Sequence, residues 1–187
     1  CDFQQATDYV IEAVDLSRGD NVRMARLIGN LGRIEILNGN WASAENNLKT
    51  ALRLADELSL PISKARNHLS LGYLHIRQRQ FNTASRELKS AQIIIDKEDF
   101  KRERVILAEY SGELAFEMGD LVQAKRILHD AHNMGRELAP ESTLVTQVTR
   151  RLAQIEYSLD NLDEALKFAQ KSFDLSVKVG EKTEIGL

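Results

Sequence analysis

Residues 30–51, NLGRIEILNGNWASAENNLKTA, decide the fold of this chain, because three later stretches repeat their pattern. The matching stretches are SLGYLHIRQRQFNTASRELKSA at 70–91, YSGELAFEMGDLVQAKRILHDA at 110–131 and RLAQIEYSLDNLDEALKFAQKS at 151–172. An alanine inside each stretch recurs at intervals of 40, 40 and 41 residues, at Ala44, Ala84, Ala124 and Ala165. A register kept over this length indicates an internal repeat.

Each repeat is predicted to form two antiparallel helices joined by a short turn. In the first half, apolar residues recur three or four positions apart, as at Leu27, Leu31 and Ile34, which is typical of an amphipathic helix. Polar breaks follow at 38–40, 79–80, 119–120 and 160–161, and the helical spacing then resumes. The repeat is therefore a helix hairpin, and the chain is predicted to be all-α.

Several residues are expected to shape these hairpins locally. The residues expected to cap second helices are Asn40, Asp120 and Asn161. Pro61 and Pro140 are each expected to begin a first helix, where the missing N–H of proline costs no hydrogen bond. The glycines expected to let the two helices of a hairpin approach closely are Gly32, Gly72 and Gly112.

The order of Leu-Gly, an aromatic residue or leucine, and then two spaced alanines resembles the tetratricopeptide repeat, and the resemblance covers nearly the whole chain. It implies a right-handed solenoid of antiparallel helix hairpins. The repeats depart from the common length of about 34 residues, and Arg79 and Asp160 replace the usual turn glycine. Repeats of this length resemble those in multidomain bacterial signalling and transcriptional regulators and in animal scaffold proteins.

The resemblance predicts one repeat segment over residues 1–187. It consists of a half repeat at 2–18, full repeats at about 21–59, 60–98, 100–138 and 140–179, and the start of a further helix at 181–187. Because the chain begins at Cys1 and not at methionine, we expect it to be a fragment of a longer protein.

Composition and motifs exclude several classes of function. A net charge of −3 argues against nucleic-acid binding, and no stretch approaches the ~20 apolar residues of a membrane span. No phosphate-binding loop or nucleophile elbow occurs, so we predict neither an enzyme nor a cofactor. His129 and His132 are three residues apart, but two ligands do not make a metal site, and we interpret both as solvated. The single cysteine fits a cytoplasmic location.

The resemblance also implies which side chains face the concave groove of the solenoid, where a partner would bind. The groove residues that it implies are Arg26, Arg33, Ile36, Arg66, Tyr73, Ile76, Arg77, Glu109, Glu113, Phe116, Arg150, Gln154 and Tyr157. The family's carboxylate clamp for chaperone tails is incomplete, because Arg33 and Asn30 of the first repeat become Tyr73 and Ser70 in the second.

Two features of this set each have two interpretations. Ile36, Ile76, Phe116 and Tyr157 occupy equivalent positions, and they either contact a peptide or pack the inner wall of the solenoid. Glu109 and Glu113 belong to an acidic stripe with Glu117, which either receives basic groups of a ligand or pairs with arginines of neighbouring helices.

The predicted function is protein–protein interaction: the groove binds a peptide or protein segment, as a regulatory or scaffolding part of a larger protein. The partner is a separate protein or another domain of the same chain. Two alternatives stay open. One is an effector sensor that controls an attached output domain, and the other is an architectural spacer that forms homodimers through its exposed ends.

Overall fold

A computed structural model describes residues 3–17 and 19–180, without the side chains of residues 3, 4 and 6. In this part of the chain every regular element is an α-helix. The helices are α1 (Phe3–Leu16), α2 (Asn21–Leu37), α3 (Trp41–Glu57), α4 (Pro61–Arg77), α5 (Phe81–Glu98), α6 (Lys101–Glu117), α7 (Leu121–Leu138), α8 (Thr143–Ser158) and α9 (Leu162–Val179). Each full repeat contains one hairpin, whose first helix is α2, α4, α6 or α8. The predicted helix start at 181–187 lies outside the described residues.

The chain divides between Phe100 and Lys101 into two compact units. The N-terminal unit contains α1 to α5. Within it each helix packs against the next one, and the first helices α2 and α4 also contact each other. The C-terminal unit contains α6 to α9 and repeats this arrangement, with α6 in contact with α8.

Small residues allow the helices of a hairpin to pack closely. The alanines that define the repeat are buried, with Ala44, Ala84 and Ala124 fully inaccessible. Leu48, Leu71 and Leu74 form part of the core of the N-terminal unit. In the C-terminal unit the core includes Val105, Ala124, Leu128, Ala131, Leu144, Val148, Leu152 and Ile155.

The turns keep one backbone conformation although their residues differ. Gly39 and Gly119 have φ angles of 78° and 85°, in the left-handed region that glycine enters without strain. Arg79 and Asp160 adopt φ angles of 59° and 61° at the equivalent positions. The repeat therefore imposes the left-handed turn even where the sequence does not supply glycine.

The predicted helix start at Pro140 and the predicted caps at Asn40 and Asn161 are wrong. Pro61 begins α4 as expected, but Pro140 precedes α8, whose N-terminal cap is Ser142. Asp120 caps α7 through its side chain, whereas Asn40 and Asn161 make no such cap. Both asparagines instead donate their side-chain N–H to a glutamate of the preceding helix.

Candidate functional site

The first helices of the N-terminal unit present arginines at the predicted groove positions. Arg26 and Arg33 of α2 are exposed, and Arg66 of α4 is partly exposed. The guanidinium Nη2 of Arg33 donates a 2.7 Å hydrogen bond to Oδ1 of Asn30, one turn earlier on the same helix. Arg77 is exposed at the end of α4. The predicted groove positions of this unit therefore include four arginines.

A small cavity of about 130 Å³ lies beside these arginines and is lined by both α2 and α4. Its lining residues are Ala25, Arg26, Gly29, Asn30, Arg33, Ser63, Arg66, Asn67 and Ser70. We call it the arginine cavity. Tyr73, one turn beyond Ser70 on α4, is half-buried and is not among these lining residues.

The C-terminal unit presents a different surface at its predicted positions. Tyr157 is 70% exposed, Gln154 is exposed and Arg150 is partly exposed, all on α8. These three residues line a cavity of about 500 Å³ together with apolar side chains of α9. Leu162, Leu166 and Phe173 are the large apolar residues that α9 contributes, and they are 56%, 70% and 47% exposed. We call this cavity and its lining residues the Tyr157 surface.

Four predicted contact residues are buried, and the prediction is not supported for them. Ile36 and Ile76 are 7% and 2% exposed, and Glu109 and Glu113 are each 3% exposed. A partner reaches such side chains only if the helices move apart. Phe116 is half-buried and packs against the core of the C-terminal unit. Ile36, Ile76, Phe116 and Tyr157 were given two interpretations. Wall packing describes the first three of these residues, and only Tyr157 of the four is exposed.

The carboxylate of Glu113 forms an ion pair with an arginine of a neighbouring helix, as in the second interpretation of the acidic stripe, but the partner was not identified from the sequence. Arg151 of α8 donates to Glu113 of α6 through a 2.6 Å contact from Nη2 to Oε2, and both side chains are largely buried. Sequence reasoning selected the neighbouring Arg150 because it matched the family's groove position. The separation of 38 residues, one repeat less one helical turn, was the available signal for the pair.

His132 is buried, not solvated, and this corrects the interpretation of the two histidines. The rings of His129 and His132 of α7 both meet the Phe168 ring of α9 edge-on, with centroids 5.9 and 6.5 Å away. Burial, together with the nearby positive charges of Lys171, Arg136 and His129, lowers the pKa of His132 to about 4. Among the described residues, no group of three or more His, Cys, Asp or Glu side chains is placed to hold a metal ion.

Solved structures of several helical repeat proteins share this fold. BtubC (BKLC) from P. vanneervenii has 17% identity and a TM-score of 0.72 over 95% of this chain and 75% of its own. A Rap protein complexed with competence and sporulation factor has 13% identity and a TM-score of 0.86 over 98% of this chain. A kinesin light chain-like protein of Podosopora anserina with nearly identical TPR-like repeats has 14% identity and a TM-score of 0.59 over 96% of this chain and 89% of its own.

These comparisons confirm the all-α helix-hairpin repeat fold. This chain spans about half of the Rap protein, 52% of its length. No curated protein matches this chain significantly. In the described part of the chain, no helix has the length and apolar character needed to cross a membrane.

A family model for the MalT-like TPR region matches residues 1–179, which is nearly the whole chain. The tetratricopeptide resemblance noted from the repeated glycines and alanines is therefore confirmed. The chain belongs to the family of MalT-like TPR regions.

Proposed function

We propose that this chain is a non-catalytic, cytoplasmic protein-interaction module that binds a peptide or protein segment on exposed side chains of its first helices and of α9. It serves as a regulatory or scaffolding part of a larger protein. The Rap protein of the same fold, which was solved in complex with competence and sporulation factor, supports a binding role. So does the tetratricopeptide fold itself, because its repeat hairpins create extended binding surfaces.

The observation that carries the proposal is the Tyr157 surface. Its aromatic ring and neighbouring leucines are exposed to an extent that is unusual for large apolar side chains grouped together. Tyrosine is favoured at binding hot spots because it combines a large apolar ring with a hydrogen-bonding hydroxyl. Arg150 and Gln154 supply polar groups at the same cavity. We therefore expect an amphipathic segment whose apolar side chains enter the cavity.

Selection of peptides from a displayed random library on the purified chain tests this proposal. Enriched peptides should carry apolar or aromatic anchors, and Tyr157→Ala and Leu166→Ala should each weaken their binding at least tenfold. Tyr9→Ala is the matched control, because Tyr9 is 63% exposed on α1, outside the Tyr157 surface. Phe116 is unsuitable for this test because it packs against the core. Enrichment of no peptide, or equal affinity in all variants, contradicts the proposal.

Self-association is a second candidate function of the same region. Leu162, Leu166 and Val177 of α9 are 56%, 70% and 54% exposed, which favours contact with a second copy. Sedimentation velocity over a range of concentrations measures this directly. A dimer that Leu166→Glu converts to monomer supports the homodimer. A monomer at every concentration excludes it and leaves the Tyr157 surface available to a separate partner.

A further inference from the structure

We infer that Lys171 of α9 is a modification site, whose Nζ is acylated by acyl phosphates while His132 of α7 accepts the proton that the amine loses. The site lies where side chains of α7 and α9 meet in the C-terminal unit. It does not depend on the binding of a peptide, so it goes beyond the proposed function and is tested separately from it.

The amine of Lys171 lies beside an imidazole and not beside a carboxylate. Its Nζ is 3.4 Å from Nε2 of His132, which is only 6% exposed. Among the residues that the structure describes, no other group forms a hydrogen bond or ion pair with Lys171. Because the pKa of His132 is lowered to about 4, its ring is neutral at physiological pH and has one nitrogen that accepts a proton.

Carboxylates on the helices around Lys171 interact with other side chains. On α9 itself, Glu164 bonds to Lys167 at 2.6 Å, and Asp174 accepts from Gln170 at 2.8 Å. The others that pair elsewhere are Asp130 of α7 with Arg126, Glu156 of α8 with Lys125, and Glu141, which precedes α8, with Lys178. The positive charge of Lys171 is therefore not stabilised by these acids.

The surroundings of Lys171 favour the neutral, nucleophilic form of its amine. Partial burial is the main cause that lowers the pKa of Lys171, and the guanidinium charge of Arg136 on α7 lowers it further. Lys167, one turn earlier on the same helix, shows the opposite effect, because its hydrogen bond with Glu164 raises its pKa. Since only the neutral amine attacks a carbonyl carbon, Lys171 should react faster than Lys167.

An open cavity of about 660 Å³ gives a reagent access to this amine. Lys167, Lys171 and Lys178 line the cavity, against a single lining carboxylate from Asp174. An excess of cations attracts the dianionic phosphate of an acyl phosphate. In that compound one oxygen atom separates phosphorus from the reactive carbonyl carbon, so a phosphate held beside these cations brings the carbonyl to Nζ. The phosphates of an acyl-coenzyme A lie far from its thioester and do not give this advantage.

The reaction requires only the amine and the acyl phosphate. The lone pair of Nζ attacks the carbonyl carbon, a C–N bond forms, and the bond from that carbon to the bridging oxygen breaks. Inorganic phosphate leaves with the electron pair of the broken bond. The proton lost by the nitrogen passes to Nε2 of His132 and then to water, which leaves a neutral amide at Lys171 and restores the imidazole.

Site-resolved mass spectrometry of the full chain tests the site, with acetyl phosphate as the probe. After a timed reaction, the remaining amines are blocked with deuterated acetic anhydride in denaturant, and the ratio of the two acetyl labels is measured at each lysine. Lys171 should be acetylated at least five times faster than Lys167 and than Lys97, whose side chain is 79% exposed. Equal rates at the three lysines overturn the site. Acetyl-coenzyme A at the same concentration should react more slowly at Lys171, and a faster reaction overturns the acyl phosphate assignment.

Arg136→Gln tests whether the neighbouring positive charge activates the amine. The rate at Lys171 should rise with pH to a plateau, and loss of the guanidinium should move the midpoint of that rise to higher pH. The rate at pH 8 should then fall at least twofold. Arg126→Gln is the matched control, because it makes the same change on α7 at an exposed side chain that pairs with Asp130. An unmoved midpoint in Arg136→Gln, or an equal shift in both variants, contradicts the activation of Lys171 by Arg136.

His132→Gln tests the proton acceptor. On the plateau, where the amine is neutral in both proteins, the variant should acetylate Lys171 at least three times more slowly, because an amide does not take up the proton. Its rate at Lys97 should equal that of the unaltered chain, and circular dichroism checks that the helices are retained. An unchanged plateau rate at Lys171 in the folded variant overturns the role of His132.

Discussion

Gly72 on α4 faces Leu88 on α5 so closely that a β-carbon on Gly72 would lie 2.6 Å from Cδ2 of Leu88 and 2.9 Å from Cγ. The same relationship joins Gly32 to Leu48 at 2.7 Å and Gly112 to Leu128 at 2.6 Å, each measured to the leucine Cγ. In three hairpins, the leucine of the second helix thus fills the space left by a glycine of the first. The predicted close approach at these glycines is confirmed.

Gly72→Ala should lower the free energy of unfolding by about 1–3 kcal/mol, because the added methyl group overpacks the hairpin. Leu88→Ala alone should cost about 2–5 kcal/mol through the cavity that it leaves. In the double variant the new methyl group occupies part of that cavity, so the combined loss should be smaller than the sum. Urea unfolding of the four proteins measures the coupling. Strictly additive losses contradict the proposed packing.

Ala84→Glu should destabilise the chain severely, because Ala84 is fully buried between α4 and α5 and an unpaired charge there costs several kcal/mol. Ser85→Glu is the matched control, since Ser85 is the next residue of α5 and is exposed. Thermal unfolding followed by circular dichroism should show a large loss for the first variant and almost none for the second. An unchanged melting temperature for Ala84→Glu argues against the repeat assignment.

Acidification should destabilise the chain through His132. Burial and the neighbouring charges of Lys171, Arg136 and His129 lower its pKa from 6.5 to about 4 in the folded state. Between these values the unfolded chain binds a proton that the folded chain does not, so the stabilisation present above pH 6.5 declines as pH falls towards 4. The expected loss in the free energy of unfolding is on the order of 3 kcal/mol, since one pKa unit corresponds to about 1.4 kcal/mol.

Urea unfolding at several pH values between 7 and 4.5 measures this loss. His132→Gln removes the titrating ring and should flatten the dependence in that range, although it also removes the edge contact with Phe168. The titration of Glu87 can be separated from that of His132, because the hydrogen bond with His68 is the main cause that lowers the pKa of Glu87 from 4.5. Its contribution is therefore lost only below that range. If the free energy of unfolding of the unaltered chain and of His132→Gln falls equally with pH, the assignment to His132 is contradicted.

Glu156→Gln should lower the free energy of unfolding by about 1–3 kcal/mol, the range for hydrogen bonds to a buried charged group. The carboxylate of Glu156 is buried and accepts from Lys125 Nζ at 2.8 Å and from Asn161 Nδ2 at 2.8 Å. Burial by itself raises the pKa of Glu156, but these two hydrogen bonds, together with the positive charges of Lys125 and His129, outweigh it, and the net pKa is lowered. Its stabilisation is therefore present above about pH 4.5 and is lost as pH falls further.

Glu45→Gln is the matched control for this variant. Glu45 pairs with Lys49 one turn away at 2.6 Å, and the lysine side chain is 64% exposed. Exposed pairs of this kind contribute about 0–1 kcal/mol. Chemical denaturation should therefore separate the two glutamates clearly. Equal losses for both variants contradict a special role for the buried carboxylate of Glu156.

The hydrogen bonds to Glu156 and Glu35 explain why Asn161 and Asn40 were wrongly predicted to cap the following helices. Asparagine before a helix normally accepts from that helix's own N–H groups, and local sequence supports that expectation. Here Glu156 and Glu35 lie five residues earlier and accept from the asparagine amides at 2.8 and 2.7 Å. The choice between the two acceptors depends on burial of the glutamates, which local propensity does not contain.

The candidate site could be predicted only in part for a related reason. The family resemblance places Arg26, Gln154 and Tyr157 at groove positions of first helices, and the structure shows these three side chains exposed. The same resemblance selects Ile76 and Glu113, which are buried. A position within a repeat specifies a direction on one helix, but exposure depends on which other helix lies in that direction.

The sequence by itself determined the hairpin repeat, because small residues, apolar stripes at helical spacing and polar turns recur every 40 or 41 residues. These are short-range requirements, and each is encoded within about 40 residues. Tertiary structure alone decided that Arg151 pairs with Glu113 and that His132 is buried against Phe168. Those outcomes depend on contacts between side chains of different helices, whose energies follow from distance and burial after packing.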